Sequence, residues 1–314
     1  MKRFHRSSGA LRVIPSSKGQ FPSLPIGLRT RFAPSPTGYL HLGHVASAIY
    51  VWGIARLHGA EILLRMEDHD QGRCRRHYEA SILENLRWLG FSADIGVTDA
   101  DKPSPYRQSN HSERYEEALD QLHASTYRCQ CSRKDILERT GTQLHELWYD
   151  GYCRSIDRGP NIRAKFPREI QRFHDHRLGA QTQTPADQCG DLLLKDRDGF
   201  WTYNFAVTVD DIKEGINLII RGEDILSATG RQLQLRQILG GPSIAGVHFM
   251  HHPLLRSPEN AEQKLSKRDR STSIGEWKAQ GYAPEDLIGK AAFQLGLLDR
   301  ETKVSAHELE GLFS

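Results

Sequence analysis

The chain has 314 residues, with 42 Lys and Arg against 39 Asp and Glu, 38% hydrophobic residues and a mean hydropathy of -0.57. That length buries a full core, in one large domain with an insertion or in two, and the composition is that of a soluble globular protein. No run of about 18 apolar residues occurs, which excludes a membrane-spanning helix. Five scattered cysteines argue against a disulfide framework and for a reducing, cytoplasmic compartment.

Residues 1–29 hold no Asp or Glu and carry Lys2, Arg3, Arg6, Arg12, Lys18 and Arg29 among Ser, Pro and Gly. Residues 1–27 read as a disordered basic extension; it lacks the apolar core of a secretory signal, although an Arg/Ser-rich transit peptide has a similar composition. LRTRFAP is predicted to be a strand ending at Pro34, followed by a Pro/Gly-rich loop. From Gly43 the spacing of Val45, Ala48, Ile49 and Trp52 predicts a helix that Gly59 stops, and EILLRME, 61–67, reads as a buried strand. Strand, glycine-bearing loop, helix and strand make one βαβ unit, the opening of a parallel α/β sheet.

Two amphipathic helices follow, over residues 76–90 with Tyr78, Ile82, Leu86 and Leu89 on one stripe, and over 111–125. Polar sequence bearing Cys129, Cys131 and Cys153 then interrupts the α/β rhythm, before NIRAKFP resumes it as a strand. In GDLLLKDRDGFWTYNF two apolar runs flank the turn DRDG, which predicts a hairpin. NLIIRG reads as a strand, TGRQLQLRQILGG as a helix, and the chain from about residue 272 as two or three helices. No internal repeat is visible, so a solenoid is excluded. The expected organisation is a Rossmann-type α/β domain in two halves, 28–126 and 191–250. Between them lies an inserted subdomain, 127–190, and after them a polar loop with C-terminal helices, 251–314.

The loop RFAPSPTGYLHLGH, 31–44, leaves a strand and feeds a helix N-terminus, where backbone N–H groups and the helix dipole favour anions. Gly38 and Gly43 let phosphates approach the backbone, and His41 and His44 add side-chain donors. Neither G-x-x-x-x-G-K nor G-x-G-x-x-G is present. HLGH instead resembles the HIGH signature of class I aminoacyl-tRNA synthetases, and KLSKR, 264–268, resembles their KMSKS loop. RFAPSPTG, LLRMED, SPYRQSN, TYNFAVTVDD, IIRGEDIL and KLSKR occur in the order seen in glutamyl-tRNA synthetases, over residues 29 to 290.

That resemblance implies ATP binding, with Mg²⁺, at Pro34, Gly38, His41, Gly43 and His44 together with Lys264, Leu265, Ser266, Lys267 and Arg268. His41, His44 and Lys267 would stabilise the phosphates as pyrophosphate leaves. A glutamate substrate needs cations for its carboxylates and an anion for its ammonium, which Arg31, Arg221 and Glu67 can supply at strand ends. Tyr203 and the loop from Arg31 through Phe32, Ala33 and Pro34 to Ser35 would complete the amino-acid site by the same resemblance.

Three cysteines at this spacing suggest one structural zinc ion. Chemistry alone favours His145 as the fourth ligand, with Asp150 or a tyrosine as further candidates; Cys74 and Cys189 read as structural. Glutamyl-Q tRNA(Asp) synthetases, short relatives of the glutamyl enzymes, carry C-x-C followed by Y-x₃-C, matching Cys129, Cys131, Tyr149 and Cys153. This resemblance implies Tyr149 as the fourth ligand, and transfer of activated glutamate to the queuosine base of tRNA(Asp). Only a short stretch follows Lys267, so no helical anticodon-binding domain is expected. The balanced charge leaves tRNA affinity to a local basic patch, and no obligate protein partner is evident. Two other readings stay open: a truncated glutamyl- or glutaminyl-tRNA synthetase core that charges a tRNA 3′ end, and a catalytically silent synthetase-like regulator.

Overall fold

The computed structural model describes residues 24–141, 147–255 and 272–314. Its first unit is β1 (Arg29–Phe32), α1 (Leu42–Leu57) and β2 (Glu61–Leu64), with β1 and β2 paired in parallel from Arg29 beside Glu61 to Phe32 beside Leu64. Helix α2 (Arg76–Leu89) ends at Gly90, whose φ of 83° closes the last turn in the left-handed conformation. It leads to the short β3 (Ile95–Gly96), parallel to β2. Helix α1 is apolar on nearly every side because α9 (Pro284–Gln294) and the C-terminal turn at Leu309 and Phe313 cover the face that the sheet leaves open. The single stripe read from the sequence is therefore only part of its buried surface.

After α3 (Ser112–Gln121) come β4 (Thr126–Cys129), α4 (Arg133–Thr140), β5 (Asn161–Ala164), β6 (Gln171–Asp175), β7 (Gly179–Gln183), α5 (Pro185–Cys189) and β8 (Leu192–Lys195). Strands β4, β5 and β8 form a small antiparallel sheet, whereas β6 and β7 form a hairpin that extends the larger parallel sheet. The strand pairing thus runs across residues 190 and 191, since β8 belongs with β4 and β5.

The chain continues through α6 (Tyr203–Lys213), β9 (Leu218–Gly222), α7 (Leu226–Ile238), β10 (His248–His252) and α8 (Ile274–Ala279). The hairpin predicted over GDLLLKDRDGFWTYNF extends only to the bridge between Lys195 and Trp201; TYNF instead opens α6. Residues Phe205 to Asp211 of α6 are all buried, so the helix shows no exposed face from which a helical period could be read.

Strands β9 and β10 pair in parallel, and β10 also pairs with β6. Asn217 joins this set to β1: its N–H donates to the Arg29 carbonyl at 3.1 Å, and its Oδ1 accepts from the Arg29 N–H at 2.7 Å. The two sheets, β3-β2-β1 and β9-β10-β6-β7, thus lie edge to edge through β1 and β9, with only β7 antiparallel. The C-terminal ends of β1, β2, β9 and β10 therefore open on one crevice where the order of winding reverses, the usual ligand position in such sheets. Among the described residues no helix is long and apolar enough to cross a membrane.

Candidate active site

A buried charge network forms the floor of the crevice. Arg31, at the end of β1, donates from Nε to Asp211 Oδ1 at 3.2 Å and from Nη1 to the Ile220 carbonyl at 3.4 Å. Arg65, fully buried just past β2, reaches three carboxylates: Asp211 Oδ1 and Glu214 Oε2 at 2.8 Å each, and Glu67 Oε1 at 3.0 Å. Arg65 and Glu67 stand two residues apart in extended chain and so share a face. Asp210, beside this group, accepts from Gln108, Arg114 and Tyr115 at 2.7 to 2.8 Å.

These contacts set the charges. Burial works against the Arg65 cation, yet Asp211, Glu67 and Glu214 together hold its pKa well above the usual guanidinium value. Burial likewise opposes the Asp211 carboxylate, but Arg31 and Arg65 outweigh it and bring its pKa down. For Glu214 burial wins over Arg65, and the carboxyl is pushed up. Sequence reading missed Arg65, Asp211 and Glu214; for Arg65 and Asp211 the available signal was a charge beside an apolar run, in LLRME and VTVDDI, whereas Glu214 sits in polar sequence.

Arg221, at the end of β9, is held differently. Its Nε faces His251 Nε2 at 3.1 Å, Nη1 donates to Gln232 Oε1 at 2.7 Å, and Nη2 donates to Thr229 Oγ1 at 2.7 Å. None of these partners is a carboxylate, and burial lowers the pKa of this guanidinium. Tyr203, at the start of α6, lies within electrostatic reach of Arg221, Glu67 and Arg31, and burial pushes its phenol up. Arg31, Glu67, Tyr203 and Arg221 are thus brought together from four elements. Two cations, one carboxylate and one hydroxyl are the complement of a small ligand with an ammonium and two carboxylates.

The loop Arg31–Ser35 borders this cluster. The Pro34 carbonyl accepts from Glu67 N–H at 3.1 Å, while the Phe32 ring turns into the core, edge-on to Trp52. His41 caps α1: its Nδ1 accepts from Gly43 N–H at 3.1 Å, and its own N–H donates to His44 Nδ1 at 3.0 Å. Each neutral ring therefore carries its proton on Nε2, making that atom an N–H donor suited to phosphate oxygens. A Cβ on residue 43 would lie 2.9 Å from the His41 ring, so only glycine fits there without displacing it. Gly38 lies in the same partly exposed loop. Lys264, Leu265, Ser266, Lys267 and Arg268 fall outside the described residues; just beyond that stretch, Ser273 pairs with His41, and Ile274 N–H donates to the Leu40 carbonyl at 2.9 Å.

A second centre lies at the end of the small antiparallel sheet. The Sγ atoms of Cys129, Cys131 and Cys153 lie within 4.8 Å of one another, and the three residues are buried. Tetrahedral zinc–thiolate bonds place sulfurs about 3.8 Å apart, so this set can hold such an ion. Tyr149 Oη stands 3.3 Å from Cys129 Sγ and 4.0 Å from Cys131 Sγ, and accepts the Cys153 N–H at 2.9 Å. Asp150 is instead committed to a two-point ion pair with Arg139, and His145 falls outside the described residues. Burial pushes the Cys131 thiol up to about 11. The Arg139 Nη2 that donates to it at 3.4 Å, and the Arg163 guanidinium 3.8 Å above the Tyr149 ring, supply positive charge beside the donor set. Gly190 admits the close approach of the Tyr149 carbonyl, which a Cβ would meet at 1.8 Å.

Comparison with known proteins assigns the family. The model of the tRNA synthetases class I (E and Q), catalytic domain, matches residues 27–303. A glutamyl-Q tRNA(Asp) synthetase of Symbiobacterium thermophilum is 35% identical over 301 residues, covering 90% of this chain and 91% of that protein. Glutamate–tRNA ligase 1 of Acidithiobacillus ferrooxidans is 37% identical over 273 residues, covering 84% of this chain but only 56% of the ligase. Among solved structures, a glutamate tRNA ligase of Elizabethkingia meningosepticum superposes with a TM-score of 0.74 at 28% identity, covering 90% of this chain and 64% of that one. With the crevice, its HLGH loop and a family model matching nearly the whole described fold, the chain belongs to the class I (E and Q) tRNA synthetases.

Proposed function

We propose that this protein activates L-glutamate with ATP, forming glutamyl-adenylate and pyrophosphate, and transfers the glutamate to tRNA. The observation that carries the reading is Arg221: a buried guanidinium with no carboxylate among its hydrogen-bond partners, facing Arg31, Glu67 and Tyr203. A substrate carboxylate supplies the missing anion. The second carboxylate, near Arg31, attacks the α-phosphate of ATP; the bond to pyrophosphate breaks, and pyrophosphate carries away the electron pair. Nε2–H of His41 and His44 stabilises the phosphate charge, Lys267 serves the same end, and Mg²⁺ accompanies ATP.

The acceptor we infer is the queuosine base of tRNA(Asp), supported by similarity to a glutamyl-Q tRNA(Asp) synthetase along nearly the full length of both chains. The longer glutamate–tRNA ligases, of which this chain spans 56% in the Acidithiobacillus example, support the alternative of charging a tRNA 3′ end. Zinc, held by Cys129, Cys131, Cys153 and Tyr149, would be structural: it fixes the end of the small sheet.

Two assays test the reading. Glutamate-dependent ATP–pyrophosphate exchange by the purified protein is expected; exchange indifferent to glutamate would end the activation claim. Radiolabelled glutamate should then label tRNA(Asp) that carries queuosine and not tRNA(Asp) that lacks it, while labelling of tRNA(Glu) irrespective of queuosine would favour the alternative.

A further inference from the structure

His251 and Asp175 have no role in the pocket as described so far, yet both are fully buried behind Arg221. The Asp175 carboxylate is anchored by the backbone. Its Oδ1 accepts from Arg177 N–H at 3.0 Å and Leu178 N–H at 2.8 Å, and its Oδ2 accepts from His251 N–H at 2.9 Å. The same Oδ2 stands 2.6 Å from His251 Nδ1. An ionised carboxylate only accepts, so Nδ1 carries the ring proton and Nε2 of the neutral ring is an acceptor.

The other side of the ring agrees with that assignment. Arg221 Nε, which can only donate, lies 3.1 Å from His251 Nε2. Thr229 Oγ1 lies at 3.1 Å from the same nitrogen. Because Thr229 already accepts from Arg221 Nη2 at 2.7 Å, its hydroxyl proton is available for Nε2. The Gln232 amide is oriented by donation to Asn204 Oδ1 at 3.3 Å, which turns its oxygen to Arg221. Three neutral acceptors therefore fix the guanidinium in position, and none of them cancels its charge.

We propose that His251, locked in the Nδ1–H tautomer by Asp175, is a positioning residue that aims Arg221 while leaving its charge for a ligand carboxylate. This rests on the reading of the pocket as a glutamate site and deepens it. A carboxylate partner in place of His251 would satisfy Arg221 internally and weaken the distinction between an anionic side chain and its neutral amide. A neutral acceptor preserves it, because only an anionic ligand neutralises the buried cation.

The direct test is the ¹⁵N NMR signature of the His251 ring in the full-length protein, assigned by its disappearance in His251→Gln. An Nδ1-protonated, Nε2-unprotonated ring is expected; the opposite tautomer or an imidazolium at neutral pH overturns the proposal. In the kinetic test, Asp175→Asn lets the amide donate to Nδ1 and moves the proton to Nε2, where it opposes Arg221. The KM for glutamate in pyrophosphate exchange should rise about tenfold, the scale of one lost hydrogen bond to a charged group, with the KM for ATP unchanged.

His251→Gln, whose amide can serve both Asp175 and Arg221, should stay within about threefold of wild type, while His251→Phe should behave like Asp175→Asn. An unchanged glutamate KM in Asp175→Asn, or equal loss in the Gln and Phe variants, sinks the proposal. If Asp175→Asn does not fold, the wild-type tautomer and the Gln–Phe pair decide. If wild type shows no glutamate-dependent exchange, the functional reading fails, and the NMR measurement still decides the tautomer.

Discussion

The pocket floor and the cysteine centre both gather polar side chains in a buried place, but from opposite distances along the chain. Arg65 meets Asp211 and Glu214 across 146 and 149 residues of sequence, and Arg31 meets Asp211 across 180. The sulfurs and the Tyr149 hydroxyl meet across 18 to 22 residues, with the backbone N–H of Cys153 only four from Tyr149. The first group is ion-paired within the protein, Glu67, Asp211 and Glu214 against Arg65 and Arg31, so its order depends on the whole fold. The second is a local set of soft donors with Arg139 and Arg163 beside it, and an added ion would complete it.

The sharpest way to break that comparison is Arg65→Met. It strands Glu67, Asp211 and Glu214 without their shared cation, and a cost of about 3–5 kcal/mol is expected as a lower denaturant midpoint. A midpoint equal to wild type would mean that the network is not what holds the floor. Arg221→Leu should instead spare the fold, because no buried carboxylate loses its partner. Here kcat/KM for glutamate in pyrophosphate exchange should fall about 100- to 1000-fold while thermal stability is kept.

At the cysteine centre, Tyr149→Phe keeps the ring under Arg163 and removes only the hydroxyl. Bound zinc, measured against a competing chelator, should weaken about 10- to 100-fold; undiminished retention would exclude Tyr149 as a ligand. The smallest effect is a dependence of stability on pH. Burial depresses the pKa of His58, His176, His248, His251 and His252. A depressed histidine contributes stability that is present above its unfolded value near 6.5 and is lost as pH falls through the folded value, because the unfolded chain takes up the proton first. The denaturant midpoint should therefore be lower at about pH 5.5 than at about pH 7.5; an equal or higher one would contradict that sign.

Much of this was legible in the chain itself. The βαβ opening, the strand NLIIRG and the helix after it follow from apolar spacing and glycine stops, and the structure has them as β1-α1-β2, β9 and α7. The convergence of Cys129, Cys131 and Cys153 was legible because few residues separate them. The hairpin over GDLLLKDRDGFWTYNF was misread because α6 is buried along Phe205 to Asp211, and a helix enclosed on all faces carries no amphipathic signature.

What the sequence determined by itself is therefore local: caps, turns, strand and helix periods, the short-range cysteine set, and motifs whose residues are neighbours. His41 as the cap of α1, with His44 one turn on, is of this kind. Which charges face one another was decided only by tertiary structure. Arg65, Glu214, Asp175 and His251 have no visible partners in the sequence until the fold brings β1 beside β9, through Asn217, and pairs β10 with β6. The physical reason is that an ion pair or tautomer lock depends on distances of about 3 Å, and across such separations in sequence only strand order and packing set those distances.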